Sequence, residues 1–227
     1  MADPNAQGIA IAAASAPSPD TAPITFEIEG VLNLSRVGNI RVSGGGNTQI
    51  TAPGRFLGAV VIDGPHAVLE VQNETVGPEL LGNVRTQNGG RLKMTDATDS
   101  LTVKNIDFAG GSTAGLLTAG VLKVVGNFTA TGSTYSASAA HVLNFAGPVE
   151  STQTLTFSAP VADQGIGHLI FGGASAKVVS SVDIAQVIGD VDILATSLPV
   201  TGTATVKIGG NFFDATTYPD TLGGWRV

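Results

Sequence analysis

Apolar and polar residues alternate along this chain in short runs, and Gly, Asn or Asp closes most of them. In residues 24–30, Ile24, Phe26 and Ile28 alternate with Thr25, Glu27 and Glu29, the period of a half-buried strand. The rhythm continues through VLNLSRVGNIRVS, FLGAVVIDG, AVLEVQN, NVRTQNGG and RLKMTD. Gly44-Gly45-Gly46-Asn47 predicts a turn that needs positive φ. Asn88-Gly89-Gly90 sits between two alternating arms, where a local hairpin competes with a simple corner. Residues 110–120, GGSTAGLLTAG, are the least strand-like and predict a short helical turn or a corner. No long stretch holds a 3.6-residue period with caps at its ends, so the chain reads as all-β.

One unit returns. Residues 120–135, GVLKVVGNFTATGSTY, reappear as residues 202–218, GTATVKIGGNFFDATTY. Lys123 matches Lys207, Gly126 matches Gly210, Asn127 matches Asn211 and Phe128 matches Phe212. Echoes recur at LTVKNIDFAGG, HVLNFAGP, TLTFSAP and HLIFGGAS. A repeat that cannot bury its own apolar face buries it on its neighbours. The pattern therefore predicts a single-stranded parallel β-helix, a β-solenoid, over residues 24–227. The copies lie 84 residues apart, from Asn127 to Asn211, which fits four rungs of about 21 residues. That spacing predicts Asn127 and Asn211 in one turn column, and Phe128 and Phe212 in one core column. An antiparallel β-sandwich is the alternative, because short strands with regular turn signals describe it too.

Composition narrows the chemistry. Aromatic residues are 5% and charged residues 13% of the 227, with 30 Gly, so the side chains that usually do catalysis are scarce. The net charge of −7 with 11 scattered basic residues argues against nucleic acid as a partner. The absence of Cys removes disulfides, thiolate metal sites and cysteine nucleophiles. No apolar run is long enough for a membrane-spanning helix. Residues 1–23 are Ala-, Ser- and Pro-rich and read as an extended tail. The run at residues 8–16 lacks the preceding Lys or Arg of a secretory signal. Within the tail, Ile9, Ile11 and Ala13 alternate with small residues, as a strand donated to another subunit's edge would.

The series LLTAGVLKVVGNFTATGS, HVLNFAGPVESTQTLTFSAP and HLIFGGAS resembles the repeat segments of large bacterial extracellular proteins with right-handed parallel β-helices. In that family a gGxLxVxGNFT strand is followed by an HxVxFxG…QTxTF pair and an xxxLxF/I strand. The matching residues are Gly120, Leu122, Val124, 126–129, His141, Val142, 144–147, 153–157 and 169–171. The resemblance covers residues 109–213. It implies a secreted or cell-surface location and a fold, and it carries no site.

Sites were sought among the polar residues. Glycoside hydrolysis needs two carboxylates on one cleft, and Asp96 with Asp99, Asp183, and Asp190 with Asp192 are the candidates. Alternation puts Val191 and Ile193 inward, so Asp190 and Asp192 read as a solvated face. His66, His141 and His168 are widely separated, and no spacing among them requires zinc. Acidic residues near turns offer Ca2+ oxygen ligands without any recognisable calcium repeat, so no cofactor is expected. No catalytic residue is assigned, and the chain reads as a non-enzymatic structural protein of the bacterial surface. Its expected partner is itself, in a filament joined through Ile9, Ile11 and Ala13 at one end and Trp225 at the other. The alternatives are a carbohydrate-binding or polysaccharide-degrading β-helix with a surface glycan as partner, and a fragment of a large adhesin.

Overall fold

The computed structural model describes residues 10–12, 24–26, 40–43, 46–50, 55–56, 59–71, 79–149, 151–158, 165–181, 185–194, 200–215 and 221–226. Every strand pairing among them is parallel, and each strand pairs with the one a coil earlier or later. This is a parallel β-solenoid, and the antiparallel sandwich is excluded. The only helix among the described residues is the 3-10 turn Gly132–Thr134.

The stack has three faces. The first runs from the opening half of Ser100–Ala109 through Val121–Val124, Val142–Phe145, His168–Phe171, Val191–Ile193 and Phe212–Asp214. The second holds Val60–Asp63, the closing halves of Glu79–Gln87 and Ser100–Ala109, Phe128–Thr131, Thr152–Ser158 and Ala176–Ser181. The third begins as a separate sheet, Ile24–Phe26, Gly46–Ile50, Ala67–Val71 and Arg91–Lys93. It thins to single bridges at Met94, Leu117 and Ala137, then resumes at Gly165–Ile166 and Ala185–Val187. Leu117 therefore serves residues 110–120 as a one-residue strand at a corner, and it is fully buried.

Alternation does the rest. On the first face Leu101, Leu122, Leu143, Leu169 and Val191 stack in register and are buried, with Val103, Val124, Phe145, Phe171 and Ile193 two residues on. Period two sends these inward and their neighbours out. Phe108, Phe128, Tyr135, Phe145, Phe157 and Phe171 form one aromatic cluster in the middle of the stack. Tyr135 meets Phe128 edge to face at 5.0 Å, yet its buried hydroxyl has no hydrogen-bond partner. Burial accordingly pushes its pKa up. A buried orphan hydroxyl costs about 1–3 kcal/mol, so Tyr135→Phe should raise stability. An upward shift of the urea midpoint checks this, and a downward shift would show that the hydroxyl has a partner.

Two expectations need correction. The arms flanking Asn88-Gly89-Gly90 do not pair with each other. Glu79–Gln87 and Arg91–Lys93 lie on different faces, and Asn88 (φ 52°) with Gly89 (φ 91°) turns the corner between them. The twin GNF segments share one stack but not one column. Phe128 lies on the second face and Phe212 on the first. Along the first face, Val121 pairs with Val142, Val142 with His168, Leu169 with Val191, and Val191 with Phe212. These are coils of 21, 26, 22 and 21 residues, so the repeat of 84 falls six residues short of four coils. Six residues is close to one side of the triangle.

Candidate functional site

The repeat encodes a corner. Asn127 N donates to Asn105 Oδ1 of the preceding coil at 2.6 Å, and a Cβ on Gly126 would strike that same oxygen. At the other copy, Asn211 N donates to Asp190 Oδ1 at 2.7 Å, and a Cβ on Gly210 would strike it. Gly admits the carboxamide or carboxylate of the coil below, and the following backbone N–H caps it. The same local device works wherever a strand must turn, which is why it appears at two different corners.

At the corner between the first and second faces the device extends into a ladder. Asn105 Nδ2 donates to Asn83 Oδ1 at 2.7 Å, and Thr154 N donates to Asn127 Oδ1 at 2.9 Å. Asn83, Asn105 and Asn127 are spaced 22 residues apart, each just before an inward apolar residue. That regularity is visible in the sequence. Beside the ladder lies a surface depression of about 370 Å³, flanked by Arg85, Asp107 and Thr129. Arg85 Nε faces Asp107 Oδ2 at 3.3 Å.

A buried polar network crosses the same corner higher in the stack. Gln153 Nε2 donates to Val124 O (2.9 Å) and Gly126 O (2.8 Å). Its Oε1 accepts from Gly147 N (2.6 Å) and Ser175 Oγ (2.7 Å). Lys177, paired with Gln153 in register and only 1% exposed, donates to Gly172 O (2.6 Å), Ser175 O (2.7 Å) and Ser175 Oγ (2.8 Å). Its partners are all neutral oxygens, and burial lowers its pKa to about 8. Sequence reasoning missed both residues. The signal was present: Gln153 shares a face with Leu155 and Phe157, and Lys177 with Val179.

The carboxylates proposed as an acid–base pair act as corner ties. Asp99 Oδ2 accepts the N–H groups of Thr95 (2.8 Å) and Asp96 (2.9 Å). Asp96 accepts from Thr98 N and Oγ1, which hold its carboxyl below the usual range. Val191 and Ile193 are buried, as alternation predicts, while Asp190 and Asp192 point outward to different partners. Asp183 lies outside the described residues.

The histidines stay apart in kind as well as in sequence. His66 is exposed in a turn. His168 Nε2 faces Asp192 Oδ2 at 3.0 Å on the outside of the first face. His141 is buried, with Nδ1 2.9 Å from Ala119 O and Nε2 without a partner, and burial lowers its pKa. Among the described residues no three His, Cys, Asp or Glu side chains are grouped to hold a metal. No described helix is long and apolar enough to cross a membrane.

Two of the four candidate assembly residues, Ile11 and Trp225, fall in strands at the two ends of the stack. Ile11 lies in Ala10–Ala12, which pairs with Ile40–Ser43 at the first end of the second face. Ile9 and Ala13 lie outside the described residues. Trp225 lies in Thr221–Arg226, paired with Val206 in the last coil. Near that end Ile188, Leu194 and Phe213 are exposed, Phe213 by 60%, alongside exposed Lys207, Asn211 and Asp214. Phe212, which tops the first-face column, is only partly buried. No protein-family model, curated protein or solved structure matches this chain.

Proposed function

We propose that this chain is a non-catalytic structural subunit of a bacterial surface that joins copies of itself end to end. The observation that carries the reading is at the last coil of the first face, where Phe213 is exposed and the core column finishes in a partly covered Phe212. A parallel solenoid has a direction, so its two ends differ, and a translated copy can continue the same parallel order on the last coil. Such a contact is heterologous and does not close, which makes a filament. Burying an exposed Phe on a second copy contributes on the order of 2 kcal/mol.

The first end brings the strand containing Ile11, with Ile9 and Ala13 as its neighbours in sequence, and the last end brings Trp225. The structural use of Asp96, Asp99, Asp190 and Asp192 supports a role without catalysis. The resemblance of residues 109–213 to extracellular repeat segments supports the surface location. Deleting residues 2–22 and imaging the purified chain by negative-stain electron microscopy tests the assembly. The full chain should form fibres, and the deletion and Phe213→Asp should abolish them with the solenoid still folded. Fibres of unchanged yield in both variants would rule the proposal out.

A further inference from the structure

We propose that the depression beside the asparagine ladder binds a neutral sugar, a role separate from end-to-end assembly. Its volume of about 370 Å³ falls within the range of small-ligand sites. Backbone groups are already committed there, because Glu79–Gln87, Ser100–Ala109 and Phe128–Thr131 are consecutive strands of the second face. A peptide would have no strand edge to join, so only side chains can read a ligand.

Those side chains present both hydrogen-bonding senses. Asn127 uses its Oδ1 on Thr154 N, which leaves both Nδ2 hydrogens for a ligand. Asn83 accepts from Asn105 through Oδ1 and likewise keeps its Nδ2 donors. Arg85 meets Asp107 through Nε at 3.3 Å, and the guanidinium fork offers further donors while the carboxylate offers further acceptor capacity. Thr129 adds a hydroxyl at the rim. Adjacent sugar hydroxyls donate and accept in the same way. The Arg85–Asp107 pair is neutral overall, which favours an uncharged ligand over an anionic one.

The site has no aromatic ring, and hydrogen bonds exchanged with water contribute little each, so affinity should be millimolar. Saturation-transfer difference NMR suits such affinities and works on filaments and monomers alike. The full chain would be presented in turn with methyl glucoside, methyl galactoside, methyl mannoside, N-acetylglucosamine and sodium glucuronate. Transfer to at least one neutral sugar is expected, falling to background in Arg85→Ala/Asp107→Ala with the thermal melt unchanged. Thr129→Val should also reduce transfer, and it serves if the double variant fails to fold. No transfer to any neutral sugar, transfer to glucuronate alone, or unchanged transfer in the variants would overturn the proposal.

Discussion

Gln153→Leu should destabilise the solenoid by about 2 kcal/mol, a loss set by hydrogen bonding rather than by apolar packing. Gln153 fills all of its hydrogen-bonding capacity inside the stack, donating to two carbonyls and accepting from one N–H and one hydroxyl. Those partners belong to three successive coils, around residues 124–126, 147–153 and 175. Leu has the right size for the site and none of the polarity. The substitution strands Gly126 O and Gly147 N, whereas Val124 O still accepts from Ala146 N, and each stranded buried group costs about 1–3 kcal/mol. The Ser175 hydroxyl can rotate to another acceptor, and the added apolar burial offsets about 2 kcal/mol at most. Urea titration of both proteins measures the difference. A loss below about 1 kcal/mol would mean that water enters the corner and replaces the side chain.

The network sits at the corner where the chain is least regular. The coil from Val142 to His168 is 26 residues long, against 21 or 22 for its neighbours. Gln153 lies in the extra length of that coil, and its side-chain amide supplies bonds to the backbone at the corner. The asparagine ladder serves the coils below, at residues 83, 105 and 127, and Gln153 with Ser175 serves those above. One corner is thus held by side-chain amides over successive coils. Its outer side offers polar groups to a ligand, and its inner side locks the stack.

Much of this fold was legible, and the limits of that legibility have particular causes. Strand periodicity placed Val191 and Ile193 inward, and both are buried. The GNF repeat correctly announced a stack because its chemistry, a Gly that admits a polar side chain and an N–H that caps it, belongs to stacked coils. It misplaced the columns because that chemistry is local. Nothing in Gly-Asn says which of three corners it turns, and coil lengths between 21 and 26 residues break the arithmetic that a constant 21 assumes. The true column partners of Asn127 are Asn105 and Asn83, whose following residues are Ile106 and Val84 rather than Phe. The eye follows the aromatic ring, while the fold repeats the amide. Gln153 and Lys177 were missed for the opposite reason. Their inward position follows from alternation, but polar identity sets an expectation of exposure that burial with full hydrogen bonding overrules.

Lys177→Met should flatten the rise of stability with pH above pH 8. Lys177 is 1% exposed and its three acceptors are neutral, so its charge is buried without a counter-ion. Such a charge is costly to bury even when hydrogen-bonded. The ordinary lysine value is 10.5, and the folded value is about 8. Between the two, the unfolded chain holds a proton that the folded chain has released. Stability therefore climbs as pH rises from about 8 towards 10.5, by up to about 1.4 kcal/mol per pH unit while one proton separates the states. Below pH 8 both states are protonated and the full cost of burial remains. Two other buried groups bracket this window. His141, with its pKa lowered by burial, makes the fold lose stability as pH falls below 6.5, because the unfolded chain takes up a proton first. Tyr135, with its pKa raised above 10.0, does the reverse at high pH, where the unfolded tyrosine ionises and the folded one does not. Urea midpoints across pH 8 to 10 should therefore rise more steeply for the wild type than for Lys177→Met. Equal slopes in the two proteins would place the ammonium in contact with water and remove the buried charge from the account.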